Sequence, residues 1–106
     1  MNNNCIISDR ARTQAEPNDI SVNPIKGKSY TLKCKVLESK PSVATYKWYK
    51  DNGEIQGKNT ETLLIEGLDP VKDNGDYACA GYNGLAWGDK GYPYKLQVWC
   101  KLQLIK

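Results

Sequence analysis

Four cysteines, at positions 5, 34, 79 and 100, have the widest choice of chemistry in this chain. A thiol can bridge, hold a metal or attack an electrophile. The last two roles need neighbours that this sequence lacks. None of the 106 residues is His, which removes the commonest general base and the commonest zinc ligand. There is no C-x-x-C pair and no G-x-S-x-G. Asp69, Asp73 and Asp76 lie close in sequence but without the spacing of a calcium loop, and a turn explains them better. No enzyme activity, cofactor or metal is therefore expected. What remains is oxidation: an even number of Cys in a short chain points to disulfides and an oxidising compartment. Three pairings are open, and the order along the chain does not choose among them.

The elements that must position these thiols read as strands. "SYTLKCKV" puts Tyr30, Leu32, Cys34 and Val36 on one face and Ser29, Thr31, Lys33 and Lys35 on the other. "ATYKWYK" sets Tyr46 and Trp48 against Lys47 and Tyr49, "TLLIEGL" supplies Leu63 and Ile65, and "DYACAGY" sets Tyr77, Cys79 and Gly81 against Ala78, Ala80 and Tyr82. "YKLQVW" alternates Leu96 and Val98 with Lys95, Gln97 and Trp99. A two-residue period with one apolar face suits antiparallel sheets with one side buried. Turn signals separate the runs at Asp51-Asn52-Gly53, Asn74-Gly75 and Asn83-Gly84, and no segment keeps a 3.6-residue period. A chain of 106 residues with 40% apolar content is one domain of all-β class, a sandwich or barrel.

The net charge of +3 is spread over scattered Lys, so no nucleic-acid footprint is expected. No run of eighteen apolar residues occurs, so no direct membrane insertion by this segment is expected. Residues 1–14 lack the cationic start and long apolar core of a signal peptide.

The ordered set Gly27, Leu32, Cys34, Trp48, Leu63, Ile65, Asp73, Gly75, Tyr77 and Cys79 resembles the immunoglobulin superfamily over roughly residues 20–99. The short distance from Trp48 to Leu63 favours the I-set or second-constant-set type over a variable domain. "YACAGYNG" is similar to the I-set pattern, while "YKWYKDNGE" and "YKLQVW" resemble distal domains of siglec and Fc-receptor-like cell-surface proteins. "LDPVKD" is one residue longer than usual before its Asp, so the turn there is expected to differ.

The resemblance implies a Greek-key immunoglobulin-like sandwich of two antiparallel sheets with about seven strands. It implies an inter-sheet bridge from Cys34 to Cys79 with Trp48 laid against it and Leu32 beside it in the core. It also implies a tyrosine corner, in which the Tyr77 hydroxyl reaches back to the backbone near Asp73. Cys5 and Cys100 have no family counterpart. They either bridge each other, pair outside this domain or stay free. The expected division is a partly ordered N-terminal extension over 1–19, the immunoglobulin-like domain over 20–102, and a C-terminal tail or linker to a following domain over 103–106.

Function then falls to end loops and to the outer face of the sheet carrying Cys79. "YNGLAWGDKGYPY" holds Trp87, Leu85, Tyr82 and Tyr92 between Gly residues. Trp and Tyr bury much area with few rotors and are enriched at binding hot spots. Trp87 either folds back over the pole of its own core or meets a ligand. Tyr49 and Lys47 join Tyr82 as candidates on the outer sheet face, and Trp99 with Leu102 as a candidate domain junction. No N-x-S/T sequon interrupts either face. The last strand offers Lys95 and no Arg, so a siglec-type sialic-acid site is not expected. The family implies a non-catalytic extracellular module of a receptor or adhesion protein, binding a protein ligand or counter-receptor, with flanking immunoglobulin domains. The alternatives are a spacer domain with no ligand of its own and an intracellular muscle-type filament domain.

Overall fold

The computed structural model describes residues 9–100 of the chain. Among these residues, seven strands form two antiparallel sheets. β1 (Asp9–Pro17), β2 (Tyr30–Lys40) and β5 (Thr62–Ile65) make a three-stranded sheet in the order β1-β2-β5. β3 (Thr45–Lys50), β4 (Gly53–Glu54), β6 (Gly75–Tyr82) and β7 (Tyr94–Leu96) make the other, in the order β4-β3-β6-β7. β6 lies beside β3 although β4 and β5 come between them in sequence, and this crossover gives the Greek key.

The inward faces follow the two-residue period. Leu32, Cys34, Trp48, Cys79 and Leu96 are fully buried, and Leu63, Leu68, Tyr77 and Val98 complete the core. Cys34 and Cys79 are joined across the sheets, with their Cα atoms 5.9 Å apart. The Trp48 indole N–H donates to the Thr60 carbonyl at 2.8 Å, so the ring is packed without an orphaned donor.

Between β5 and β6 the chain makes one helical turn, α1 (Pro70–Asp73). Pro70 opens it and Asp69 caps it, accepting from the Val71 N–H at 3.2 Å. Asp73 is buried and accepts from the Asp69 N–H at 2.9 Å and from the Lys72 ammonium at 3.0 Å. The Tyr77 hydroxyl donates to the Asp73 carbonyl at 2.7 Å, which makes the tyrosine corner.

One boundary differs from the expectation. The segment read as an extension before residue 20 contains β1, which pairs with β2 from Asp9 opposite Lys40 to Pro17 opposite Leu32. Its inward residues are Ala11, Thr13 and Ala15, all buried. They are small because β1 also touches the other sheet. Thr13 Oγ1 donates to the Cys79 carbonyl at 2.7 Å, the Tyr92 N–H donates to the Thr13 carbonyl at 3.1 Å, and the Ala15 N–H donates to the Tyr92 carbonyl at 2.9 Å. β1 thus closes one edge of the sandwich against both layers.

Candidate functional site

The outer face of the four-stranded sheet is built on β3 and β6. Cross-strand register sets Thr45 opposite Tyr82, Lys47 opposite Ala80 and Tyr49 opposite Ala78. The two Ala residues point outward by alternation, yet both are buried. Large side chains beside small ones shade them, so this face is a packed layer of its own.

The upper part of that layer forms from a tight hairpin after β6. Asn83 is buried, and its Oδ1 accepts the Leu85 and Ala86 N–H groups, each at 2.9 Å. The turn folds the chain back so that Trp87 bridges to Tyr82 in antiparallel fashion. Their rings lie 5.3 Å apart between centroids and are tilted by 39°. The Lys47 ammonium sits over the indole, 4.3 Å from its centroid. Trp87, Tyr82 and Lys47 therefore form one stack. Trp87 neither caps the pole of the core nor projects from the hairpin; it lies half-buried along the sheet.

The lower part is a second pair. Asp51 and Asn52 both have positive φ, 50° and 72°, in a two-residue hairpin between β3 and β4, the geometry of a type I′ turn. Across from it, the Lys90 ammonium donates to Asn52 Oδ1 at 2.7 Å and lies 5.2 Å from the Tyr49 ring centroid. A shallow cavity of about 370 Å³ lies there, with Tyr49, Asn52, Ala78 and Lys90 in its wall. Lys90 was not among the sequence candidates. It stands in a Gly-rich connection with no periodicity, and only the folded path of residues 88–92 along β6 brings it to Tyr49. Two backbone bonds fix that path: Gly88 N–H to the Gly81 carbonyl and Gly91 N–H to the Cys79 carbonyl, both 2.9 Å.

The remaining candidates are placed apart from this row. Leu85 is 63% exposed at the hairpin tip. Tyr92 is 64% exposed on the β1 side, where it lines a groove of about 350 Å³ with Arg10 and Arg12. Trp99 is half-exposed at the opposite pole, where its backbone pairs with the segment at Ile25 through Trp99 N–H to the Pro24 carbonyl at 2.7 Å. Among the described residues, Cys100 is a free and exposed thiol. Cys5 and Leu102 lie outside the described residues.

Chemically the row is suited to contact with another surface. It offers aromatic faces, aliphatic stems and two ammonium groups. Among the described residues, no three Cys, Asp or Glu side chains converge as a metal site would require, and no helix is long and apolar enough to cross a membrane.

No curated protein matches the chain. The family model for the immunoglobulin domain matches residues 13–83, more than half of the 106. The match runs from inside β1, through both bridged cysteines and Trp48, to the Asn83 that turns the hairpin. With two antiparallel sheets and a disulfide between them, the chain belongs to the immunoglobulin domain family.

Proposed function

We propose that this domain is a non-catalytic extracellular recognition module of a cell-surface receptor or adhesion protein. It binds a protein partner with the outer β3–β6 face, at Trp87, Tyr82, Lys47, Tyr49 and Lys90. The observation that carries this reading is the pair of aromatic–lysine groups on one sheet face, Tyr82–Trp87–Lys47 and Tyr49–Lys90. Rings and lysines already in contact within each group offer contact area at little further cost in side-chain entropy. The buried Cys34–Cys79 bridge supports an oxidising, extracellular setting. The path from β4 directly to β5, without another strand, supports an I-set or second-constant-set type.

The test is Trp87→Ala in the whole ectodomain, assayed for partner capture. Loss of capture with an unchanged fold is expected. Capture equal to wild type, with the fold intact, overturns the assignment of this face.

A second reading has its own support. Trp99 stays half-exposed at the pole away from the Asn83 hairpin, where it is open to pack on a neighbouring domain of a tandem array. In that reading the domain sets reach and angle, and the β3–β6 face binds nothing.

A further inference from the structure

The sequence places Asn before Gly three times, at Asn52-Gly53, Asn74-Gly75 and Asn83-Gly84. An Asn amide is most open to attack by the next backbone nitrogen when that nitrogen belongs to Gly, which has no Cβ to block the approach. The fold treats the three pairs differently. Asn83 is buried; its Oδ1 accepts two backbone N–H groups and its Nδ2 donates to the Lys40 carbonyl at 3.2 Å. Asn74 is half-buried, and its Oδ1 accepts the Val98 N–H at 2.7 Å, so backbone just past β7 holds that amide. Asn52 is exposed, and its Oδ1 is met by the end of a long side chain, the Lys90 ammonium at 2.7 Å. The strand that follows, β4, has only two residues and lies at the edge of its sheet.

We propose that Asn52 is a self-modifying site, whose amide converts to a carboxylate in the folded protein while Asn74 and Asn83 persist. The co-reactant is water. The Gly53 nitrogen gives up its proton to water or hydroxide and bonds to Asn52 Cγ. The Cγ–Nδ2 bond breaks, and ammonia leaves a succinimide ring. Water then opens the ring in one of two ways. Cleavage between Cγ and the Gly53 nitrogen restores the main chain with an aspartyl side chain at position 52. Cleavage between the main-chain carbonyl carbon and that nitrogen gives an isoaspartyl linkage, which is one carbon longer. The Lys90 ammonium, donating to Oδ1, polarises the amide carbonyl toward attack and then faces the new carboxylate.

Each product changes the sheet face in its own way. The aspartyl form turns the contact with Lys90 into an ion pair beside Tyr49. The isoaspartyl form lengthens the β3–β4 turn and pulls β4 out of register with β3. The chemistry does not rest on the recognition role of this face; only its consequence for binding does.

Opening free energies within one native protein run from near zero in exposed turns up to the global stability. Asn52 is therefore expected to convert about tenfold or more faster than the other two while the protein stays folded. The experiment incubates the native protein at mildly alkaline pH, then reduces, digests with trypsin and weighs the peptides. The peptide from Asp51 to Lys58 is expected to gain the amide-to-acid mass difference. The peptide from Asp73 to Lys90, which carries both Asn74 and Asn83, is expected not to. Gly53→Ala is the control variant. Gly53 has no positive φ, and a Cβ there meets only the Lys50 carbonyl at 3.5 Å, so the fold tolerates it. It is expected to stop the conversion. Lys90→Met is expected to slow it several-fold. Conversion of Asn74 or Asn83 as fast as Asn52 in the native protein overturns the proposal. So does an Asn52 that stays intact natively while the urea-unfolded chain converts at all three positions.

Discussion

The Lys47 ammonium lies 4.3 Å above the centre of the Trp87 ring, joining β3 to a hairpin that the alternation of β3 does not reach. Such a contact contributes about 0.5–1 kcal/mol at an exposed site. Lys47→Met keeps the aliphatic stem and removes the charge. It should lower unfolding stability by no more than about 1 kcal/mol. If the stack is a recognition surface, the same variant should weaken partner capture by more than the stability change accounts for. Equilibrium unfolding and capture, measured on one preparation, separate the two effects.

The bridge between Cys34 and Cys79 spans 45 positions and should contribute about 4 kcal/mol by constraining the unfolded chain. Net stabilities of single domains are about 5–15 kcal/mol, so its loss is large. Unfolding in denaturant with and without a reducing agent should show a large fall in midpoint. A fall near zero would favour the muscle-type filament reading, in which the fold stands without its bridge.

How far the sequence carries the structure depends on side-chain size. β2, β3 and β6 alternate Leu32, Cys34, Trp48, Tyr77 and Cys79 against polar or small partners, and a period of such large residues reads directly as a buried face. β1 escapes that reading because Ala11, Thr13 and Ala15 carry its inward face, and small residues leave little trace in a hydrophobic pattern. The candidate row was half legible. Lys47, Tyr49 and Tyr82 follow from alternation on two paired strands. The position of Trp87 follows only once Asn83 is seen to hold a tight turn, which returns residue 87 to residue 82. Lys90 meets Tyr49 through the path of an irregular segment, and no local pattern encodes such a meeting.

That irregular path depends on Gly91. A Cβ at this position would lie 2.0 Å from the Thr13 carbonyl oxygen and 2.3 Å from its hydroxyl. Gly91→Ala must therefore push β1 away from β6, which strains the bonds from Thr13 to Cys79 and from Tyr92 to Thr13. Overpacking of this kind costs about 1–3 kcal/mol, with about 1 kcal/mol more for each hydrogen bond lost. Gly53→Ala, which meets no such obstacle, should leave the denaturation midpoint almost unchanged. Equal effects of the two substitutions would mean that β1 is not held against the second sheet as described.

The tyrosine corner gives a prediction that depends on pH. Burial pushes the Tyr77 phenol up to about 12, helped by the nearby carboxylates of Asp73 and then Asp51. In the unfolded chain its pKa is about 10. The unfolded state then gives up its proton first, so stability falls with rising pH once the medium passes the lower value. The contribution is present in full below about pH 10 and is lost on the way to about pH 12. Tyr77→Phe removes the donor to the Asp73 carbonyl and should cost about 1 kcal/mol at neutral pH. Tyr30 and Tyr46 are also raised by burial, and they steepen the alkaline loss in both proteins alike. The difference between wild type and variant cancels their share. It should hold steady through neutral and mildly alkaline pH, then shrink across the window between the two Tyr77 values. Urea midpoints taken at steps of pH on both proteins measure it, and a difference that stays constant through that window would mean that the Tyr77 proton is not held by this corner.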